Sequence, residues 1–236
     1  MKRLLFAFLA FTLVTCEHTC SSKDCKKVLF IGNSFSYEND GVNEHLKNLI
    51  SGTNNLDVYV ESATEGRYHL MTHWKDSETQ SLFDSEKWDK IVLQEYALGP
   101  LKKNAEFEKY TKKWTRHLRS KNPKGEVFLF STWSYRKSRG MGDRVYAKYT
   151  NIADEVDAEV VPVGMLWKAV RSQINLYMED GAHPNRMGTF LSACLFYERL
   201  FNLDVTQTKH TDPIISKSEQ ARLKHWAHAF NSNWQE

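Results

Sequence analysis

The feature that most constrains this chain is its alternation of short, unbroken apolar runs with longer amphipathic stretches. Lys27-Val28-Leu29-Phe30-Ile31, stopping at Gly32, is apolar on both sides of an extended chain. Leu56 to Val60, Lys90 to Gln94, Glu126 to Phe130 and Glu159 to Val163 repeat the pattern. Between and after them, apolar residues fall at helical spacing over Val42 to Ile50, Asn104 to Leu118, Asp143 to Val156, Arg186 to Phe201 and Ser216 to Phe230. A strand that is apolar on both faces must be covered on both faces. Such strands alternating with helices predict a parallel sheet inside a three-layer α/β/α sandwich. Five strands in this order suit a flavodoxin-like sheet, and Pro162 points to an edge or a strand end because proline cannot donate to a ladder. In these folds ligands bind beyond the C-terminal ends of the strands. The residues just after each run are therefore where chemistry is to be sought.

The first run ends in Gly32-Asn33-Ser34-Phe35-Ser36. A Ser on a tight strand-to-helix turn exposes its hydroxyl, and its N–H lies at a helix N-terminus suited to an oxyanion. The plainer reading is a helix N-cap. Far along the chain stands Asp180-Gly181-Ala182-His183-Pro184-Asn185. A nucleophilic Ser needs a base, and the base needs an orienting carboxylate. Asp and His three apart on one turn can face one pocket. Read alone, the segment is a polar turn in which Asn185 caps the helix from Arg186.

Together the two segments match one family. Gly32-Asn33-Ser34-Phe35 resembles the Gly-Asp-Ser-Leu block of the SGNH (GDSL-like) hydrolases, and Asp180 to Gly188 resembles their Asp-x-x-His-Pro block. The resemblance runs from about Lys27 to Phe201 and agrees with the fold class read from the pattern. It implies Ser34 as nucleophile, His183 as general base and then acid, and Asp180 as the carboxylate that orients the imidazole. It also implies an oxyanion hole built from the N–H groups of Ser34 and Gly66, the latter in Ser62-Ala63-Thr64-Glu65-Gly66-Arg67, where an ordinary turn glycine is the equal alternative. The family's Gly-x-Asn-Asp block is replaced here by Leu93-Gln94-Glu95-Tyr96. Gln94 carries the same amide on a longer stem, so the expectation is Gln94 as third oxyanion donor. Trp133, after the fourth run, is placed to stack on a sugar ring or to fill the core. Tyr37, Arg67 and Tyr68 are rim candidates. The function implied is an extracytoplasmic serine esterase acting through an acyl-enzyme, with O-acetyl groups on carbohydrate as substrate. Lipase or lysophospholipase action, acetyl transfer, and a silent carbohydrate-binding module are the alternatives, and the intact trio argues against the last.

The N-terminus bears on location. Lys2-Arg3 followed by the apolar stretch Leu4 to Val14 reads as a signal peptide over residues 1–15, too short to span a bilayer as a mature helix. Leu13-Val14-Thr15-Cys16 resembles a bacterial lipobox, with Thr15 a departure, so membrane attachment through a lipidated Cys16 is one expectation and plain secretion the other. Residues 16–26 would then be a tether and residues 27–236 the hydrolase domain. Cys20 and Cys25 can pair in an oxidising compartment or stay free, and Cys194 reads as a small buried hydrophobe. Without Lys2 and Arg3 the net charge of +3 falls to +1, and the basic residues look dispersed along the sequence. That excludes a nucleic-acid footprint. Lys102 to Arg119 reads as a solvated helix face. No cofactor motif and no complete metal set is found. His69 and His73 have i, i+4 spacing, but Leu70 stands where a zinc protease has Glu. His225 and His228 invite the same scepticism.

Overall fold

The computed structural model describes residue 20, residues 22–103 and residues 106–234. The expected leader, residues 1–15, and Cys16 lie outside the described residues. In chain order the elements are β1 (Lys26–Gly32), α1 (Ser34–Tyr37), α2 (Gly41–Ser51), β2 (Val58–Thr64), α3 (Leu70–Lys75), α4 (Ser77–Ser85), β3 (Lys90–Leu93), α5 (Glu106–Lys121), β4 (Glu126–Phe130), α6 (Met141–Val156), β5 (Glu159–Val161), α7 (Val163–Val170), α8 (Arg186–Phe201) and α9 (Lys217–Asn233).

The five strands form one sheet in the order β2-β1-β3-β4-β5, every pair parallel. Helices α2, α8 and α9 pack together on one side, and α3, α4, α5 and α6 on the other. This is the flavodoxin-like three-layer arrangement that the apolar runs predict. Val28, Leu29, Phe30 and Ile31 are buried because β1 is central and covered on both faces. Helix α8 is buried over most of its circumference, since it lies between the sheet and its neighbours α2 and α9.

Differences from the sequence reading have local causes. β2 starts at Val58 and runs on to Thr64, through Glu61 and Ser62. It is an edge strand, so its second half has no need of an apolar run. β5 ends at Val161, and Pro162 caps α7, so the apolar residues from Val163 are helix rather than strand. The short, polar α3 and α4 carry too few periodic positions to be read as helices. Ahead of β1, Cys20 and Cys25 form a disulfide and Cys25 is buried, so the expected tether is pinned at its end. Cys194 is buried in α8, and desolvation pushes its thiol well above the usual range.

The register aligns the site. Gly32 pairs with Thr64, and Ile31 pairs with Leu93. The segments after β1, β2 and β3 therefore emerge side by side where the strand order reverses, the crevice that parallel sheets use for ligands.

Candidate active site

The turn after β1 is held from several directions. A Cβ on Gly32 would sit 2.6 Å from Ser36 Oγ and 2.8 Å from Gln94 Oε1, so only glycine permits this approach. Asn33 caps α1, its Oδ1 accepting from the Phe35 N–H at 3.3 Å, while its Nδ2 donates to the Tyr68 carbonyl at 3.0 Å. Ser34 follows as the first residue of α1, where the N–H is not used by the helix ladder.

The second segment is a small hairpin. Tyr177 bridges Pro184, and Met178 N–H donates to the His183 carbonyl at 2.9 Å. Gly181 closes its tip with φ of +70°, in the region that favours glycine. Asp180 Oδ1 accepts from the N–H groups of Ala182 and His183 at 2.9 and 3.0 Å. Its Oδ2 lies 2.5 Å from His183 Nδ1, and His183 Nε2 lies 2.9 Å from Ser34 Oγ. Partial desolvation raises the Asp180 pKa, but the hydrogen bonds from the His183 ring and the two N–H groups outweigh it and bring it to about 2. Asp180 is thus ionised at neutral pH. It holds the proton of His183 on Nδ1, which turns the Nε2 lone pair toward the serine hydroxyl.

Of the remaining candidates, Gln94 departs from its expected role and Trp133 takes the core alternative. Gln94 is buried. Its Oε1 accepts from Asn33 N–H at 2.9 Å and from Ser36 O–H at 3.1 Å, and its Nε2 donates to the Glu95 carbonyl at 2.5 Å. Asn33 N–H is an obligate donor, so the amide must present oxygen, not nitrogen, to this turn. Gln94 therefore braces the turn and does not present a donor to an oxyanion. Trp133 is also buried, with Phe35 stacked on it at 4.8 Å and Trp167 at 3.8 Å. It has no ring face for a sugar. Instead its Nε1 donates to the Ala182 carbonyl at 2.9 Å, from beneath the hairpin.

Gly66 follows β2, with its N–H donating to Glu65 Oε1 at 2.9 Å, and the Tyr37 hydroxyl lies 3.2 Å from where its Cβ would be. Tyr37 and Arg67 are exposed at this rim, and Arg67 takes a positive φ of 64°.

His69 and His73 do not share a ligand position. His69 is the N-cap of α3, with Nδ1 at 2.5 Å from the buried Glu95. His73 is buried, with ring nitrogens on Thr79 Oγ1 and the Gly32 carbonyl. Glu198, Asp204 and His228 bring ligand atoms within 4.8 Å of one another. Glu198 there already accepts from Val205 N–H, His228 and Asn231, as a hydrogen-bonded junction does.

Two supports had no sequence signal. Asn39 Nδ2 donates to the Pro184 carbonyl at 2.8 Å, tying the α1–α2 turn to the hairpin. Arg136 donates its N–H to the Gly181 carbonyl at 2.7 Å and its guanidinium to the Met178 carbonyl at 2.8 Å.

No protein-family model matches the sequence, and no curated protein matches it either. Solved structures do. A DUF4886 family protein from Bacteroides uniformis superposes with a TM-score of 0.70 at 19% identity, over 89% of this chain and 96% of that one. An acetylxylan esterase from Geobacillus stearothermophilus gives 0.64 at 13% identity, over 76% and 95%. A psychrotrophic esterase from Pseudoalteromonas gives 0.60 at 11% identity, over 75% and 97%. The strand order and the crevice at its reversal agree with a further likeness, to a putative SGNH hydrolase from Slackia heliotrinireducens (TM-score 0.65, 22% identity, over 75% and 100%): the chain has the fold of the SGNH hydrolases.

Proposed function

We propose that this chain is an extracytoplasmic serine esterase that removes O-acetyl groups from carbohydrate. The observation that carries the reading is the continuous line Asp180 Oδ2, His183, Ser34 Oγ, with contacts of 2.5 and 2.9 Å. In this reading Ser34 Oγ attacks the ester carbonyl and His183 Nε2 takes its proton. The tetrahedral oxyanion lies against the Ser34 N–H, and against the Gly66 N–H once the Glu65 carboxylate swings aside. His183 then gives the proton to the departing sugar oxygen. Water, deprotonated by His183, attacks the acetyl-serine, and acetate leaves as Ser34 regains its proton. Asp180 stays ionised and stabilises the imidazolium.

The carbohydrate assignment is supported by the likeness to a Geobacillus acetylxylan esterase and by the open rim at Tyr37 and Arg67. The location is supported by the apolar segment Leu4 to Val14 and by the Cys20–Cys25 disulfide, which persists in oxidising compartments. Attachment through a lipidated Cys16 belongs to the same proposal.

The test is hydrolysis of p-nitrophenyl acetate and acetate release from acetylated xylan. Wild type is expected to do both, and Ser34→Ala neither. Equal activity in Ser34→Ala sinks the enzyme reading. Faster turnover of long acyl chains than of acetyl would replace carbohydrate esterase by lipase.

A further inference from the structure

The basic residues that look dispersed in the sequence are brought together by the fold. Arg136, Lys137 and Arg139 lie in the loop after β4, and Lys168 and Arg171 lie at the end of α7. Four of these, Arg136, Arg139, Lys168 and Arg171, line one groove of about 640 Å³, and no acidic side chain lines it. Asp143, outside the groove, pairs with Lys168. Among the described residues, Arg139 and Arg171 have no ion-pair partner.

Helix electrostatics account for only half of this. Lys168 and Arg171 sit at the C-terminus of α7, where positive charge offsets the helix dipole. Arg139, of the same groove, directly precedes the N-cap of α6, where positive charge is unfavourable. Its placement therefore needs another reason, and an anion in the groove supplies one.

The groove adjoins the candidate active site. Its wall at Arg136 and Tyr177 is the back of the hairpin that carries Asp180 and His183. Arg136 holds that hairpin through the Gly181 and Met178 carbonyls, and its guanidinium lies 5.4 Å from the centre of the Tyr177 ring. A polymer with its ester at Ser34 can cross the hairpin and set its next residues in the groove. Guanidinium forks match carboxylates in bidentate fashion.

We propose that this groove is a subsite for the carboxylate of a uronate residue in an acidic polysaccharide. The choice of a polysaccharide rests on the carbohydrate-esterase reading, whereas the anionic character rests on the groove alone.

The test reads binding without turnover. Full-length protein carrying Ser34→Ala is run in affinity gels containing polygalacturonate, neutral dextran, or anionic phosphatidylglycerol vesicles. Retardation by polygalacturonate and not by dextran is expected, weakening as salt rises from about 0.05 to 0.5 M. Adding Arg139→Glu and Arg171→Glu is expected to weaken binding by roughly tenfold or more. The Arg139→Lys, Arg171→Lys pair is expected to keep part of it, and circular dichroism melting checks that each variant folds. Equal retardation by dextran, unchanged binding in the double Glu variant, or binding to the vesicles alone overturns the proposal. Because no hydrolysis is measured, failure of the esterase assay and failure of this subsite are separate results.

Discussion

A buried amide can serve as donor or acceptor, and its neighbours decide which. At Gln94 the fixed N–H of Asn33 decides for the oxygen, so the side chain braces the turn that carries Ser34. Gln94→Ala leaves that N–H buried without a partner, a loss of about 1–3 kcal/mol. Urea unfolding is expected to show this loss, and kcat on p-nitrophenyl acetate to fall with KM little changed. Asp180→Asn is expected to cost roughly 10³-fold or more in kcat, because the amide no longer fixes the imidazole tautomer. As the Asp180 pKa is about 2, Asp180 itself is expected to add no inflection to the acid limb of the wild-type pH–rate profile above about that pH. Ser34, Asp180 and His183 were legible as candidates because each sits in a short motif beside a strand end or a helix start. The role of Gln94 was not, because the sequence names a side chain without saying which of its atoms faces the turn, and for Trp133 the sequence left the core and the rim both open.

Helix α8 begins where two elements nearly touch. A Cβ on Gly188 would lie 2.5 Å from the Leu176 carbonyl oxygen and 2.7 Å from the Trp167 ring. Intrinsic propensity favours Ala over Gly in a helix by about 1 kcal/mol. Here overpacking, at about 1–3 kcal/mol, opposes and outweighs it. Gly188→Ala is therefore expected to lower the melting temperature, and to lower esterase activity by shifting the hairpin that ends at Asn185. The limits of α8 were legible because Asn185 caps it and its apolar positions recur over four turns. α7 was hidden because apolar residues continue past Pro162, so the run reads as one strand although Pro162 marks its end.

The fold as a whole rests on pattern more than on particular residues: likenesses at 11–19% identity still give TM-scores of 0.60–0.70. What the pattern cannot show is convergence from distant segments, as with Arg136 and Arg171, which only the closed sandwich places together. Global stability carries a pH signature from His45, buried between α2 and α8 against Phe190. Burial above all, and then Arg186, lower its pKa, while the bond to the Asn39 carbonyl and the charges of Asp212 and Asp40 oppose them incompletely. Below about pH 6.5 the unfolded chain takes up a proton that the fold resists, so stability is lost as pH falls through that range and is complete above it. Melting temperature against pH is expected to show the loss, and His45→Gln to reduce it, the part left coming from His73 and His210, whose pKa values burial also lowers. The Trp133–Trp167 stack has an optical consequence. Parallel indoles 3.8 Å apart share their excited states, and one of them holds the carbonyl between Asp180 and His183. Acylation of Ser34 that shifts the hairpin should therefore alter near-ultraviolet ellipticity, giving the protein a label-free reporter of its own occupancy.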